Sequence, residues 1–192
     1  MDPNEPQPGD LELLRATARR ERAAFETLLD RYERPLLRFA RSQTGDRESA
    51  EDATQETFLA VWRHASSFRG NTDAEGRSWL YAIARHATRR MNRRRSGEPE
   101  RFDSWEDLGN GAGFGLTDLD FERRLADRDG VRRAFARLAA EDREVLLLRD
   151  IEGFHGDEAA TLLEIGLPAL KSRLHRARLR LVAELRGTGG VR

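Results

Sequence analysis

The chain has 192 residues, room for one large or two small domains, and its acids and bases cancel at 34 each. It contains no cysteine, which excludes disulfides and thiolate metal sites, and no apolar run approaches the ~20 residues needed to span a bilayer. The polar start MDPNEPQPGD lacks the pattern of a signal peptide, so a soluble, cytoplasmic protein without membrane insertion is expected.

Residues 1–10, rich in proline and acid, read as a disordered tail. From 11 to about 95 the pattern is helical throughout. Phe25, Leu28, Leu29, Tyr32, Leu36, Leu37 and Phe39 give the first long helix an apolar face. Pro35 predicts a kink or a break within it, and Gly45 ends it. DRESAEDATQETFLAVWRHASSF begins a second long helix, with acids in the first turns, where the helix dipole favours them. The loop RGNTDAEG leads to a third, RSWLYAIARHATRRMNRRRS. No β-alternating segment flanked by turn residues occurs, so the fold class is all-α.

Residues 97–122 carry eight acids, one arginine and five glycines, the composition of a flexible acidic linker. The GNGAGFG within it matches neither phosphate-loop pattern, and no strand precedes it. Helical periodicity then returns in four short helices, near 123–138, 142–151, 157–163 and 168–181. Gly153 is placed as a helix stop, Asp157 as an N-cap, and Pro168 in a first turn. The chain thus divides into a tail (1–10), a helical domain (11–96), the linker (97–122), a second helical domain (123–186) and a short tail (187–192).

The last helix, PALKSRLHRARLRL, has five basic residues among fourteen. At 100° per residue Leu170, Leu174, Ala177 and Leu181 form one narrow stripe. Lys171, Ser172, His175, Arg176 and Arg178 spread over the other side, with Arg173 and Arg180 flanking. Taken alone, this is a solvated basic face, a dock for an acidic partner, or a surface that reads nucleic acid. The short helix and tight turn before it make a helix-turn-helix, which favours DNA, with Lys171, Ser172, His175 and Arg176 at the base edges.

The third helix of the front domain has seven arginines and no acid between 77 and 96. Phe68, Trp79 and Tyr81 lie beside them, and basic charge interleaved with aromatics suits a single strand with splayed bases. Trp79, with Leu80 and Ile83, reads instead as core. DRESAEDATQE, five acids and one arginine, would repel phosphate, so it faces solvent or a basic protein. No catalytic centre is expected. His64, His86, His155 and His175 have no metal-ligand spacing, no nucleophile motif is present, and neither a metal nor another cofactor is implied. His155 reads as a loop or packing residue.

Taken together, FETLLDRYERPLLRFARSQTGDRESAEDATQETFLAVWRHASSFRG, WLYAIARHATRR, REVLLLRDIEGF and LKSRLHRARLRL resemble an alternative RNA polymerase sigma factor of the extracytoplasmic-function type, in the sigma-70 family. The resemblance runs from Leu11 to Leu185, in the order of the family's regions 2 and 4. It implies core RNA polymerase (the β′ clamp and the β subunit), promoter DNA and an anti-sigma factor as partners. Asp52, Gln55, Glu56 and Phe58 would dock on the clamp. Phe68, Arg69 and Asn71 would hold an unstacked base of the −10 element, and Arg77, His86, Arg89 and Arg90 would line the strand's path. Lys171, Ser172, Arg173, His175, Arg176 and Arg178 would engage the −35 element as duplex. The acidic linker would run through the polymerase's RNA channel.

Some positions depart from the family's pattern. His86 stands where asparagine is frequent, and Glu164 where the helix-turn-helix has glycine, with Gly166 two residues on. Ala169-Leu170 replaces Thr-Val, which removes a hydroxyl that could hold a phosphate. A stand-alone helix-turn-helix regulator is the alternative, and it predicts a stable dimer on a palindromic operator. It leaves the acidic helix and the Trp-and-arginine helix unexplained. Each half offers few base contacts, at ~1–3 kcal/mol for a good bidentate pair, and extracting a base costs a few kcal/mol. The protein alone is therefore expected to bind duplex DNA weakly; nanomolar sequence-specific binding without polymerase, in a mobility-shift titration, would contradict this.

Overall fold

The computed structural model describes residues 7–97 and 128–188; the acidic segment, except Gly97, and the phosphate-loop-like GNGAGFG lie outside them. Helix α1 (Asp10–Ala18) begins at a residue expected in the tail. Asp10 is buried, pairs with Arg31 at 2.5 Å and accepts a hydrogen bond from the Tyr32 hydroxyl. The Pro8 carbonyl accepts from Arg31 Nη2 at 2.8 Å. A carboxylate at a helix N-terminus with two donors from the next helix is matched well enough to leave water. Burial, followed by the Asp10 charge, pushes the Tyr32 hydroxyl's pKa far above the ordinary phenol range, so it stays a donor.

The helical pattern is not continuous from 11 onward. Arg20 turns the chain in the left-handed region (φ 66), and its guanidinium donates to the Trp62 carbonyl at 2.6 Å over that residue's ring. Helix α2 (Arg22–Gln43) then continues through Pro35, so of the expected kink or break the break does not occur. Leu28 and Tyr32 before the proline, and Leu36 and Phe39 after it, are all buried. Apolar burial on both sides outweighs the single backbone bond that proline removes.

Helix α3 (Arg47–His64) is capped by Asp46, which accepts from the Ser49 amide at 2.7 Å and its hydroxyl at 2.9 Å. A 3-10 turn (Ala65–Ser67) follows. Helix α4 (Asp73–Ser96) starts with a capping box between Thr72 and Glu75 and stops at Gly97, whose φ of 70° suits glycine.

The second group comprises α5 (Arg128–Arg137), α6 (Ala140–Leu146), α7 (Gly156–Leu163) and α8 (Leu167–Thr188). After α6 the backbone widens into a π-turn (Leu147–Ile151) and is released at Gly153 (φ 67). Asp157 is not the cap of α7: the helix starts one residue earlier, and Glu158 accepts from the His155 amide at 2.6 Å. Asp157 lies in the first turn, where its charge meets the helix dipole. Among the described residues there is no strand, and none of their helices is long and apolar enough to cross a membrane.

The two groups share one core. Phe39 of α2 meets Tyr81 of α4 edge-on at 5.6 Å, and Tyr81 meets Phe154 of the second group at 4.9 Å. Phe39, with no exposed surface, anchors this stack, so Phe39→Ala is expected to cost about 3–5 kcal/mol. Urea unfolding monitored by circular dichroism checks it; a loss below about 1 kcal/mol would contradict this packing.

Candidate nucleic-acid interface

On α8 the predicted stripe is the buried one: Leu170, Leu174, Ala177 and Leu181 pack against the core. Lys171, Ser172, His175 and Arg176 are exposed together on the outward side. Arg173 is half-buried. Arg178 differs from the rest of its predicted set. It pairs with Asp150 of its own unit, Nη2 at 2.5 Å and Nε at 3.0 Å from the carboxylate, so it braces α8 on the π-turn. Arg180 does the same to Asp142 at 2.5 Å.

The turn before α8 hinges on Glu164, which takes the left-handed conformation (φ 59, ψ 38) that glycine tolerates best. An L side chain there costs about 1–2 kcal/mol. Its carboxylate reaches Arg85 at 3.3 Å and Arg89 at 3.8 Å, both on α4.

In the front unit, Phe68 is packed rather than presented. Its ring lies 5.5 Å from that of Trp79 and close over Gly70, where a Cβ would come within 2.4 Å of it. In this state it caps the core beneath the loop instead of offering an open face to a base. Arg69 folds back on the Ser66 carbonyl at 2.6 Å, and the Asn71 amide donates to Glu75 at 2.7 Å. His86 is half-buried on α4. Arg77 donates to the Glu152 carbonyl, with its guanidinium 4.3 Å from the centre of the Phe154 ring. Burial, then the nearby Arg85 charge, lowers the pKa of Arg89. Arg90 pairs with Glu56, joining a residue expected to face DNA to one expected to face polymerase.

Phe58 is not on the outward face of α3. It is 7% exposed and meets Phe25 edge-on at 6.4 Å. The apolar residue on that face is Leu59, 53% exposed, bordering a groove of about 370 Å³ with Asp52, Gln55, Glu56 and Arg90. The spacing 52, 55, 56, 59 is one helical face, so periodicity alone would have selected Leu59. Sequence reading also missed Arg38 and Arg85, and the carboxylates of Glu152 and Glu144 that meet them, and Tyr81, read beside the arginines as an aromatic suited to stacking, is instead fully buried and donates to Glu152. Their partners are distant in the chain, and no local signal marks them.

Residues 28–98 match the family described as Sigma-70 region 2, and residues 128–181 match Sigma-70, region 4. The ECF RNA polymerase sigma factor SigM of Mycobacterium tuberculosis is 34% identical over 172 residues, 90% of this chain and 82% of SigM. The chain belongs to the extracytoplasmic-function sigma factors of the sigma-70 family. The RNA polymerase sigma-H factor of Pseudomonas aeruginosa is 29% identical over 178 residues, 90% of this chain and 91% of that one. Among solved structures, CnrH in complex with the cytosolic domain of CnrY superposes with a TM-score of 0.65 at 26% identity, covering 94% of this chain and 99% of that one. The sigma factor RpoE in complex with the anti-sigma factor NepR from Bartonella quintana gives 0.60 at 27% identity, covering 84% and 96%. This sigma factor therefore serves promoter recognition and transcription initiation with core RNA polymerase.

Proposed function

We propose that the sigma factor reads the −35 element through Lys171, Ser172, His175 and Arg176, and the −10 strand along Arg77, His86, Arg89 and Arg90, with Phe68, Arg69 and Asn71 receiving a base. The observation that carries this reading is the division of α8 into a buried leucine-and-alanine stripe and an exposed basic face at its N-terminal half. A helix held that way presents donors to base edges without disturbing its own packing. For the −10 loop to receive a base, the Phe68 ring must swing from Trp79, a rotamer change rather than a refolding. Asp52, Gln55, Glu56 and Leu59 make the face for the polymerase clamp. It acts in the cytoplasm with no catalytic centre of its own, as a specificity subunit. Because CnrH and the Bartonella RpoE are held by CnrY and NepR in the solved structures, an anti-sigma factor is the expected regulator here too.

Run-off transcription from randomised promoters, with bacterial core polymerase plus or minus this protein, tests the reading. Protein-dependent transcripts sharing two short upstream motifs are expected. Duplex binding by the protein alone without such transcripts would favour a stand-alone regulator. On a selected promoter, Arg176→Ala should lower initiation about tenfold, the equivalent of one lost base contact. Arg178→Ala should lower the melting temperature instead, because it strands Asp150, whose side chain is only 6% exposed.

For the clamp face, Leu59→Asp should leave the circular dichroism spectrum unchanged and weaken binding to core polymerase about tenfold or more, as an exposed anchor residue does. Fluorescence anisotropy of the labelled sigma factor measures it. Unaltered affinity would remove Leu59 from the interface.

A further inference from the structure

Helix α1 has no capping side chain of its own, because Gly9 stands at its N-cap position. The cap comes from another helix: Asp73, the first residue of α4, accepts from the Leu11 amide at 2.7 Å. The two helix starts are pressed together. A Cβ on Gly9 would come within 2.6 Å of the Asp73 carboxylate oxygens, and one on Gly76 within 3.0 Å of Leu14 Cδ1. With Asp10 also tied to Arg31 and Tyr32, α1 is fixed against the start of α4. One turn beyond Leu11, exposed Arg15 brings its Nη2 to 3.5 Å from Asn71 Oδ1, in the loop that precedes α4. The loop's backbone is held from the other side, where Glu75 accepts from the amides of Asn71 at 2.7 Å and Thr72 at 3.0 Å. Asn71 thus keeps one freedom, the orientation of its exposed side-chain amide.

We propose that Arg15 is a positioning residue for base selection: by holding Asn71 Oδ1 it turns the Nδ2 donors toward the captured base, so that this −10 position favours bases with a carbonyl oxygen and disfavours adenine, which has none. The inference rests on the reading that Asn71 receives a base. A carboxamide is a donor at one end and an acceptor at the other, and a guanidinium, which only donates, selects the oxygen end. Adenine's amine needs an acceptor, and the oxygen that could supply one lies beside the Arg15 charge. In water the Arg15–Asn71 contact adds little to folding, and it strengthens when a base displaces the water around it.

Run-off transcription with core polymerase, from promoters randomised over the −10 element, tests the proposal on the full-length chain and its Arg15→Ala and Asn71→Ala variants. Base preference is read position by position among the transcripts. Asn71→Ala should flatten the preference at one position. Arg15→Ala should relax that same position by about fivefold, the equivalent of one hydrogen bond, with adenine gaining. The other positions and the melting temperature should stay as in the parent. A uniform fall in yield with every preference intact overturns the proposal, because Arg15 then only attracts phosphate. Preference lost at several positions together with a lowered melting temperature overturns it too, since that is the mark of a structural residue. If Asn71→Ala itself leaves every preference unchanged, the reading of the loop fails, and the role of Arg15 fails with it.

Discussion

Arg85 imposes the constraint on which the arrangement of the two units depends. It is the only arginine of the buried class among the described residues, and a guanidinium leaves water only if its donors are met. Here they are met entirely by the other unit. Nε donates to Glu144, Nη2 to the Leu163 carbonyl at 3.2 Å, and Nη1 faces Glu164. Neither unit can bury its half of this contact alone. A buried ion pair is costly to break from one side, yet it adds little over two rehydrated charges when both sides part together. Tyr81 against Phe154 adds about 0.5–1.5 kcal/mol as an aromatic pair beyond its buried area. The polar part of the junction is therefore specific in geometry and modest in free energy, and the apolar core that the two units share supplies the rest.

The same physics orders the charge on the front unit. The outward acids of α3 and the arginines of α4 meet at the Arg90–Glu56 pair, which marks the border between an acidic face and a basic one. Placing acids on one helix and bases on the next lets a chain of zero net charge carry two strong local fields of opposite sign. Each field is reduced at its edges by intramolecular pairs, Arg47–Glu51 and Arg90–Glu56 among them.

Much of the fold was legible because helical period is a local property. The Leu170–Leu174–Ala177–Leu181 stripe, the stop at Gly153 and the exposed set at the start of α8 all follow from spacing within a few turns. Errors arose where tertiary burial overrode a local rule. Pro35 reads as a kink or a break, yet buried neighbours on both sides carry the helix through it. Asp10 reads as tail, yet Arg31 and Tyr32, 21 and 22 residues on, draw it into a helix. Phe58, singled out for its aromatic character, is buried, and the 3.6-residue period places Leu59 outward instead. The carboxylate clasp was not legible at all: Arg85 and Glu144 are 59 residues apart and Arg38 and Glu152 are 114. The departure at Glu164 was visible as an anomaly in the chain, and its reason lies only in three dimensions.

The exposed and covered surfaces together suggest an order of events on polymerase. In the packed form Asp52, Gln55 and Leu59 are already exposed, while Arg77, Arg85 and Arg89 are engaged by the second unit. The outward face of α3 is thus open in the packed form, whereas the arginines of α4 are in contact with the second unit. A ligand shifts a closed form only by binding the open form more tightly. That differential must come from surfaces available only after opening, which here are the arginine face of α4 and any contact that needs region 4 held away from it. Once both units are fixed on one enzyme, the second DNA contact becomes intramolecular, which raises its effective concentration to the order of millimolar. Weak single contacts then suffice.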